Sequence, residues 1–361
     1  MRIQKKGWVM SLVLVMTLIL TACGGAKPAA SSAPSTGPSE TPAATPAATP
    51  AATPAATQAP TASKIKVGMV TDVGGVNDNS FNQSAWEGLQ AFDKDNTKYL
   101  QSASDSDYVP NLTQFAKQKT DLTWGIGFMM ADAVKQVADQ NPDLKFGIID
   151  GEVDAKNVAS VLFKENEGSY LVGVVAGLMT KSNKIGFVGG AEIPVITRFE
   201  VGFVAGVKAV KPDATVKVVY TGKFDSPSDG KSTAASMYGD GIDIIFHAAG
   251  STGDGVFNEA KERKKKDPNV WVIGVDKDQS KTFGDEITLT SMMKRVDEAV
   301  KKISADAAAG KFEGKKIELG LKDNGVGLPE KNPNVPAEVL AKVKEYQDKI
   351  VKGEITVPET K

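Results

Sequence analysis

The sequence predicts an α/β protein whose parallel sheets are covered by helices on both faces. Three features point there. From Lys64 onward, short runs that are apolar throughout recur along the chain. Helix-length stretches separate most of them, and the residues just after the runs are polar or glycine-rich. A strand buried on both faces reads as a continuous apolar run, which is the mark of a parallel sheet between helices. Parallel neighbours require right-handed crossovers, so βαβ units follow. The roughly 300 residues after the N-terminal region suit two domains.

The elements follow in order. Residues 65–71 read as the first strand. Ser80-Phe81-Asn82-Gln83 has a capping box's spacing, with Ser at the cap and Gln three later. Ala85, Leu89 and Phe92 then share one helix face. Further strands are expected at 122–127, 144–150, 158–163, 184–188, 216–220, 242–247, 270–276 and 287–292. Helices are expected at 131–140, 166–181, 199–210, 228–238, 255–266 and 295–309, and residues 329–361 read as a polar helix flanked by prolines. In open α/β sheets, ligands bind outside the carboxyl ends of the strands. The segments to watch are therefore Asp72-Val73-Gly74-Gly75, Gly189-Gly190, Ala248-Ala249-Gly250-Ser251 and Asp276-Lys277-Asp278.

The N-terminal region sets an expected compartment. Arg2, Lys5 and Lys6 precede an apolar run over residues 8–20, and small residues lead into Leu20-Thr21-Ala22-Cys23. That is the layout of a secretory signal over 1–22, too short for a membrane span of about 20 residues. Cys23 is the only cysteine in 361 residues, so no internal disulfide can form. Its position resembles a bacterial lipobox, which implies an acylated Cys23, attachment to the membrane by lipid and an extracytoplasmic body. Residues 24–62 are low in complexity, and Thr-Pro-Ala-Ala occurs four times over 41–56. Such a stretch has little to bury, and it reads as an extended tether running to residue 63.

Catalytic readings find little support. The net charge of −1 gives no reason to expect a nucleic-acid surface. The one dense basic cluster, 261–266, reads as a solvated helix face. His247 is the only histidine and ends an apolar run, which favours a core role over general-base work. No Gly-x-Ser-x-Gly elbow and no Walker A sequence occurs. Gly125-Ile126-Gly127 and the 250–255 segment both miss the dinucleotide-binding spacing. No metal site, catalytic residue or cofactor is expected. Asp72, Asp150 and Asp276 end strands; they suit acid–base chemistry or acceptance of ligand hydroxyl and N–H groups, and binding is the better reading.

Residues 67–78 (Val-Gly-Met-Val-Thr-Asp-Val-Gly-Gly-Val-Asn-Asp) and 80–88 (Ser-Phe-Asn-Gln-Ser-Ala-Trp-Glu-Gly) resemble the opening motif of the basic membrane protein family. Segments 165–173, 246–253 and 272–279 match further, in the expected order. These are bacterial lipoproteins serving ABC importers, and the resemblance is to the purine nucleoside receptors among them. The resemblance implies two Rossmann-like lobes with parallel sheets joined by a hinge of three crossings, like a type I periplasmic binding protein. Lobe one is then expected to hold 64–182 plus 295–361, and lobe two 183–294. It further implies a monomer that binds a nucleoside in the interlobe cleft and delivers it to an ABC permease, without catalysis. The alternatives are another flat heterocycle such as riboflavin, or a nucleoside-processing enzyme.

The same resemblance suggests roles for single residues. Phe81 is expected to stack on the base, with Phe199 as the second ring or as a core residue of its helix. Asp72 and Asn82 are expected at the base edge, joined by Glu165 unless it caps the following helix. Asp276 is expected to take ribose hydroxyls, and Lys294 to complete that end unless it serves only an ion pair. Gly250 is expected to let backbone approach the ligand. Phe128 reads as wall or core.

Overall fold

A computed structural model describes residues 63–361; the expected signal, Cys23 and the expected tether up to residue 62 lie outside the described residues. The elements run β1 (Val67–Val70), α1 (Phe81–Asp93), β2 (Thr97–Leu100), α2 (Tyr108–Lys117), β3 (Leu122–Ile126), α3 (Ala131–Gln140), β4 (Lys145–Ile149) and β5 (Val158–Phe163). Then come α4 (Glu165–Met179), β6 (Lys184–Gly189), α5 (Pro194–Val210), β7 (Thr215–Tyr220), α6 (Pro227–Gly239), β8 (Ile244–Ala248), α7 (Thr252–Lys264) and β9 (Trp271–Asp276). The chain closes with α8 (Ser280–Phe283), β10 (Thr288–Lys294), α9 (Val296–Ala308), β11 (Lys316–Leu319), β12 (Val326–Gly327) and α10 (Ala337–Val351).

Two sheets form, ordered β11-β5-β4-β3-β1-β2 and β12-β10-β9-β8-β6-β7. Every pairing is parallel except that of β12 with β10. Each sheet thus repeats the doubly wound order in which the second strand flanks the first and the third lies on its other side. The strand order reverses at β1/β3 in one lobe and at β6/β8 in the other, which places a crevice at each switch point. The central strands are buried along their whole length: β1, β3 and β8 expose no residue.

The lobe boundaries differ from the expected ones. Helix α4 packs against α5, β10 and β12, so the second lobe begins near residue 165 and not 183. The cause lies in glycines on both helices. A side chain at Gly173 would strike the Phe203 carbonyl, and side chains at Gly202 and Gly206 would strike the backbone of Asn166 and Tyr170. The two helices therefore touch backbone to backbone, and Leu171, Val172, Val174 and Val175 are wholly buried. Each such side chain contributes about 1.5–3 kcal/mol on burial.

The C-terminal segment is the second difference. β12 pairs with β10, and α10 packs on α4, so residues 326–361 go with lobe two and not lobe one. Tyr346 of α10 packs on Tyr170, and Asn166 Nδ2 donates to the Val357 carbonyl at 3.0 Å. Only α9 and β11 return to lobe one. Gly88 lets α9 approach α1 closely, and Trp124 Nε1 donates to Ser304 Oγ at 3.1 Å. The chain crosses between lobes after β5, after β10 and between β11 and β12.

Candidate functional site

The carboxyl ends of both sheets face one cleft, lined by residues of both lobes. Seven of the eight expected body residues line it: Asp72, Phe81, Asn82, Phe199, Gly250, Asp276 and Lys294. Glu165 does not. It is fully buried behind Lys294, with one oxygen 3.0 Å from Lys294 Nζ and the other 2.8 Å from Arg198 Nε.

Strand ends aim the carboxylates. Asp72 follows β1, Asp150 follows β4, and Asp276 is the last residue of β9. Asp150 and Asp276 hold equivalent places, each at the end of the fourth strand of its lobe. Both take a left-handed backbone, with φ of 65° and 62°. Non-glycine residues rarely adopt this conformation, and it recurs at functional sites where the surroundings enforce it.

The opening loop is built differently from its capping-box spacing. Ser80 makes no side-chain cap bond to α1. Asp78 caps the helix instead, accepting from the backbone N–H groups of Ser80, Asn82 and Gln83 at 3.1, 2.8 and 3.0 Å. A carboxylate can accept several N–H bonds and also favours the positive helix N-terminus, so it displaces the hydroxyl. The Ser80 hydroxyl is released to donate to Asp276 of the other lobe. Asn82 Nδ2 donates to Asp72 Oδ1 at 2.7 Å and to Asp78 Oδ2 at 3.0 Å, while its oxygen accepts from the Asp72 backbone N–H at 3.2 Å. Asn82 lines the cleft, but its amide N–H groups are already used in holding the two aspartates.

Burial controls the charges. It pushes the Asp72 carboxyl up to about 7 despite the Asn82 hydrogen bond. Asp276 likewise rises to about 7, with Lys294 and Ser80 opposing. Asp150 rises to about 6 for the same reason, although Lys294 pulls it down. Burial works against the Lys294 ammonium, but Asp150, Glu165 and Asp276 outweigh it and hold its pKa above the ordinary lysine value. Lys294 also lies 5.1, 5.2 and 5.5 Å from the ring centres of Phe81, Phe163 and Phe199. Phe81 and Phe199 thus flank one ammonium from different lobes. Phe199 is also a core residue, buried and packed against Phe246.

The rest of the lining is mostly apolar. Phe128 and Met129 come from the end of β3, and Ile193, Val195 and Ile196 from the start of α5. Phe224 packs over Gly190 and Gly250, and Gly250 has a φ of 55°. Phe128 is 39% exposed, a wall and not a core residue. Sequence reasoning assigns no role to Asp78, Phe224 or the α5 residues other than Phe199. Asp78 carried a signal, since it stands two residues before a serine that opens a helix. The α5 residues carried none, because apolar cleft lining and apolar core look alike.

His247 is wholly buried and does not line the cleft. No group of three or more His, Cys, Asp and Glu among the described residues is arranged to hold a metal ion. No helix among them is long and apolar enough to cross a membrane.

Comparison with known proteins gives a consistent picture. Residues 65–361 match the Bmp family, described as ABC transporter substrate-binding protein PnrA-like. The chain is 54% identical over 313 residues to a CD4+ T-cell-stimulating antigen of Listeria monocytogenes, covering 81% of this chain and 88% of that one. It is 45% identical over 314 residues to the ABC transporter nucleoside-binding protein BmpA of Lactococcus lactis subsp. cremoris, covering 81% and 89%. A solved ABC transporter solute-binding protein from Aeropyrum pernix K1 superposes with a TM-score of 0.75 at 28% identity, covering 82% of this chain and 94% of that one. With a cleft between two doubly wound lobes and a family match across the whole described body, this chain belongs to the Bmp family of PnrA-like ABC transporter substrate-binding proteins.

Proposed function

We propose that the protein is an extracytoplasmic lipoprotein, anchored through Cys23, that captures a purine nucleoside and hands it to an ABC permease. The observation that carries this reading is the pairing of two aromatic rings with strand-end carboxylates in one cleft. A purine has flat apolar faces, and stacking on an aromatic ring contributes about 1–3 kcal/mol per base. Phe81 and Phe199 supply rings from opposite lobes. Asp72 accepts at the base edge, and Asn82 positions Asp72. Asp276 accepts from ribose hydroxyls, with Lys294 beside it. The relative from Lactococcus lactis, named a nucleoside-binding protein, supports the same ligand class.

A ligand gripped by both lobes favours the closed arrangement and shifts the hinge equilibrium toward it. Capture needs no chemistry, and the buried His247 has no access to a ligand in the cleft.

Thermal unfolding with inosine, guanosine, adenosine, riboflavin and a sugar panel tests the proposal. A purine nucleoside should raise the melting temperature, because it binds only the native state. Stabilisation by riboflavin or a sugar alone would replace the ligand class. Release of free base from inosine, followed by chromatography, would instead mark an enzyme.

A further inference from the structure

A chain of hydrogen bonds starts behind Val275, at the edge of the cleft, runs through lobe two and ends on the backbone of lobe one. The Val275 backbone N–H donates to Gln279 Oε1 at 2.9 Å. A backbone N–H can only donate, so this contact settles which way the amide points. His247 Nε2 lies 2.9 Å from the same oxygen and is therefore the protonated ring nitrogen. The ring is fully buried, burial pulls its pKa down to about 4, and Nδ1 has no hydrogen-bond partner among the described residues. Gly253 makes room for it, since a side chain there would collide with the imidazole. With its oxygen held, Gln279 turns its amide nitrogen outward and donates to the Asn79 carbonyl of lobe one at 3.1 Å.

Asn79 makes a second bond to lobe two. Its Nδ2 donates to Asp254 Oδ2 at 2.9 Å. Its φ of 52° lies in the left-handed region, which Asn and Asp tolerate better than other side chains. The turn thus presents both its carbonyl and its amide to the opposite lobe. Asn79, Asp254, Gln279 and His247 are all outside the cleft lining.

We propose that Asn79 is the latch of the closed state, docked on Gln279 and Asp254, and that His247 is the positioning residue that orients Gln279. The inference rests on ligand capture by lobe closure, as proposed above. Bonds present only when the lobes meet favour the closed form without touching ligand. They consequently slow release more than they alter capture.

Two nearly isosteric variants test it. Asn79→Asp keeps a residue suited to the left-handed turn but sets a carboxylate against Asp254. Gln279→Glu keeps an acceptor for His247 but turns a second oxygen toward the Asn79 carbonyl. Both are made in the full chain with Cys23→Ser, carrying spin labels at Lys98→Cys in lobe one and Lys217→Cys in lobe two. The parent should show a short-distance population without ligand that both variants lose. Inosine should dissociate about tenfold faster from each, the effect of one lost hydrogen bond, with association unchanged. Asn79→Asp alters only a half-exposed turn, so it decides the matter if Gln279→Glu does not fold. Unchanged distances and unchanged dissociation overturn the latch. If inosine does not bind the parent, the nucleoside reading fails, and the distances alone judge the latch: no loss of the short population overturns it.

Discussion

Lys294 Nζ stands 2.5 Å from Asp150 Oδ2, and both side chains are almost wholly buried, at 1% and 6% exposure. The pair joins the end of β10 in lobe two to the end of β4 in lobe one, beside the crossing into α9. Glu165 completes a triad around the ammonium. Lys294→Met should leave Asp150 buried without its cation, and Glu165 with Arg198 alone. Breaking a buried pair in this way costs about 3–5 kcal/mol. Urea denaturation should show that loss, together with loss of nucleoside binding in whatever fraction remains folded. A variant as stable as the parent would contradict the triad's role.

The cleft aspartates predict an unusual pH dependence. Asp72 and Asp276 are raised to about 7 in the folded chain from an ordinary value of 3.8. Between those limits the folded state holds protons that the unfolded state has released. Stability therefore falls as pH rises from about 4 to about 7, then levels off. His247, lowered to about 4 by burial, acts in the opposite sense below 6.5 but is a single group. Urea midpoints of the ligand-free protein should be lower at pH 7.5 than at pH 5, and Asp276→Asn should flatten the difference. A rising profile that Asp276→Asn leaves unchanged would count against the buried-carboxylate account.

The α4–α5 contact should tolerate no side chain. Gly206→Ala places a methyl group against the Tyr170 carbonyl. Overpacking of this kind costs about 1–3 kcal/mol. The melting temperature should drop by several degrees, whereas Gly239→Ala, in α6 with nothing nearby, should not lower it.

The two rings should contribute separately to ligand binding. Phe81→Ala and Phe199→Ala should each weaken purine nucleoside binding by about 1–3 kcal/mol, measured by titration calorimetry. Phe199→Ala should also lower stability, because that ring packs against Phe246 in the core. Equal affinity in parent and Phe81→Ala would remove stacking from the account.

Much of this was legible in the chain, for physical reasons. The central strands announced themselves because burial on both faces requires continuous apolar runs, as in residues 122–126 and 244–248. The edge strands did not. β2 and β11 each carry exposed residues, and β12 has only two residues, so none makes an apolar run. Helix α2 went unread although Tyr108, Leu112, Phe115 and Ala116 form its buried face. Pro110 masked the pattern, and it is tolerated because it falls in the first turn. Asp72 and Asp276 stood out as acids at the ends of apolar strands. Glu165 was misplaced because a carboxylate at a helix start looks the same whether it faces a cleft or a buried lysine. The lobe of α4 was hidden as well, since which neighbour a glycine face meets is a property of the tertiary packing.

A crystal structure of the protein with inosine is the most direct test. The expected density is a planar base between Phe81 and Phe199, with ribose hydroxyls within hydrogen-bond distance of Asp276. A nucleoside bound elsewhere on the surface, or a cleft whose aspartates and rings make no contact with it, would contradict the proposed site.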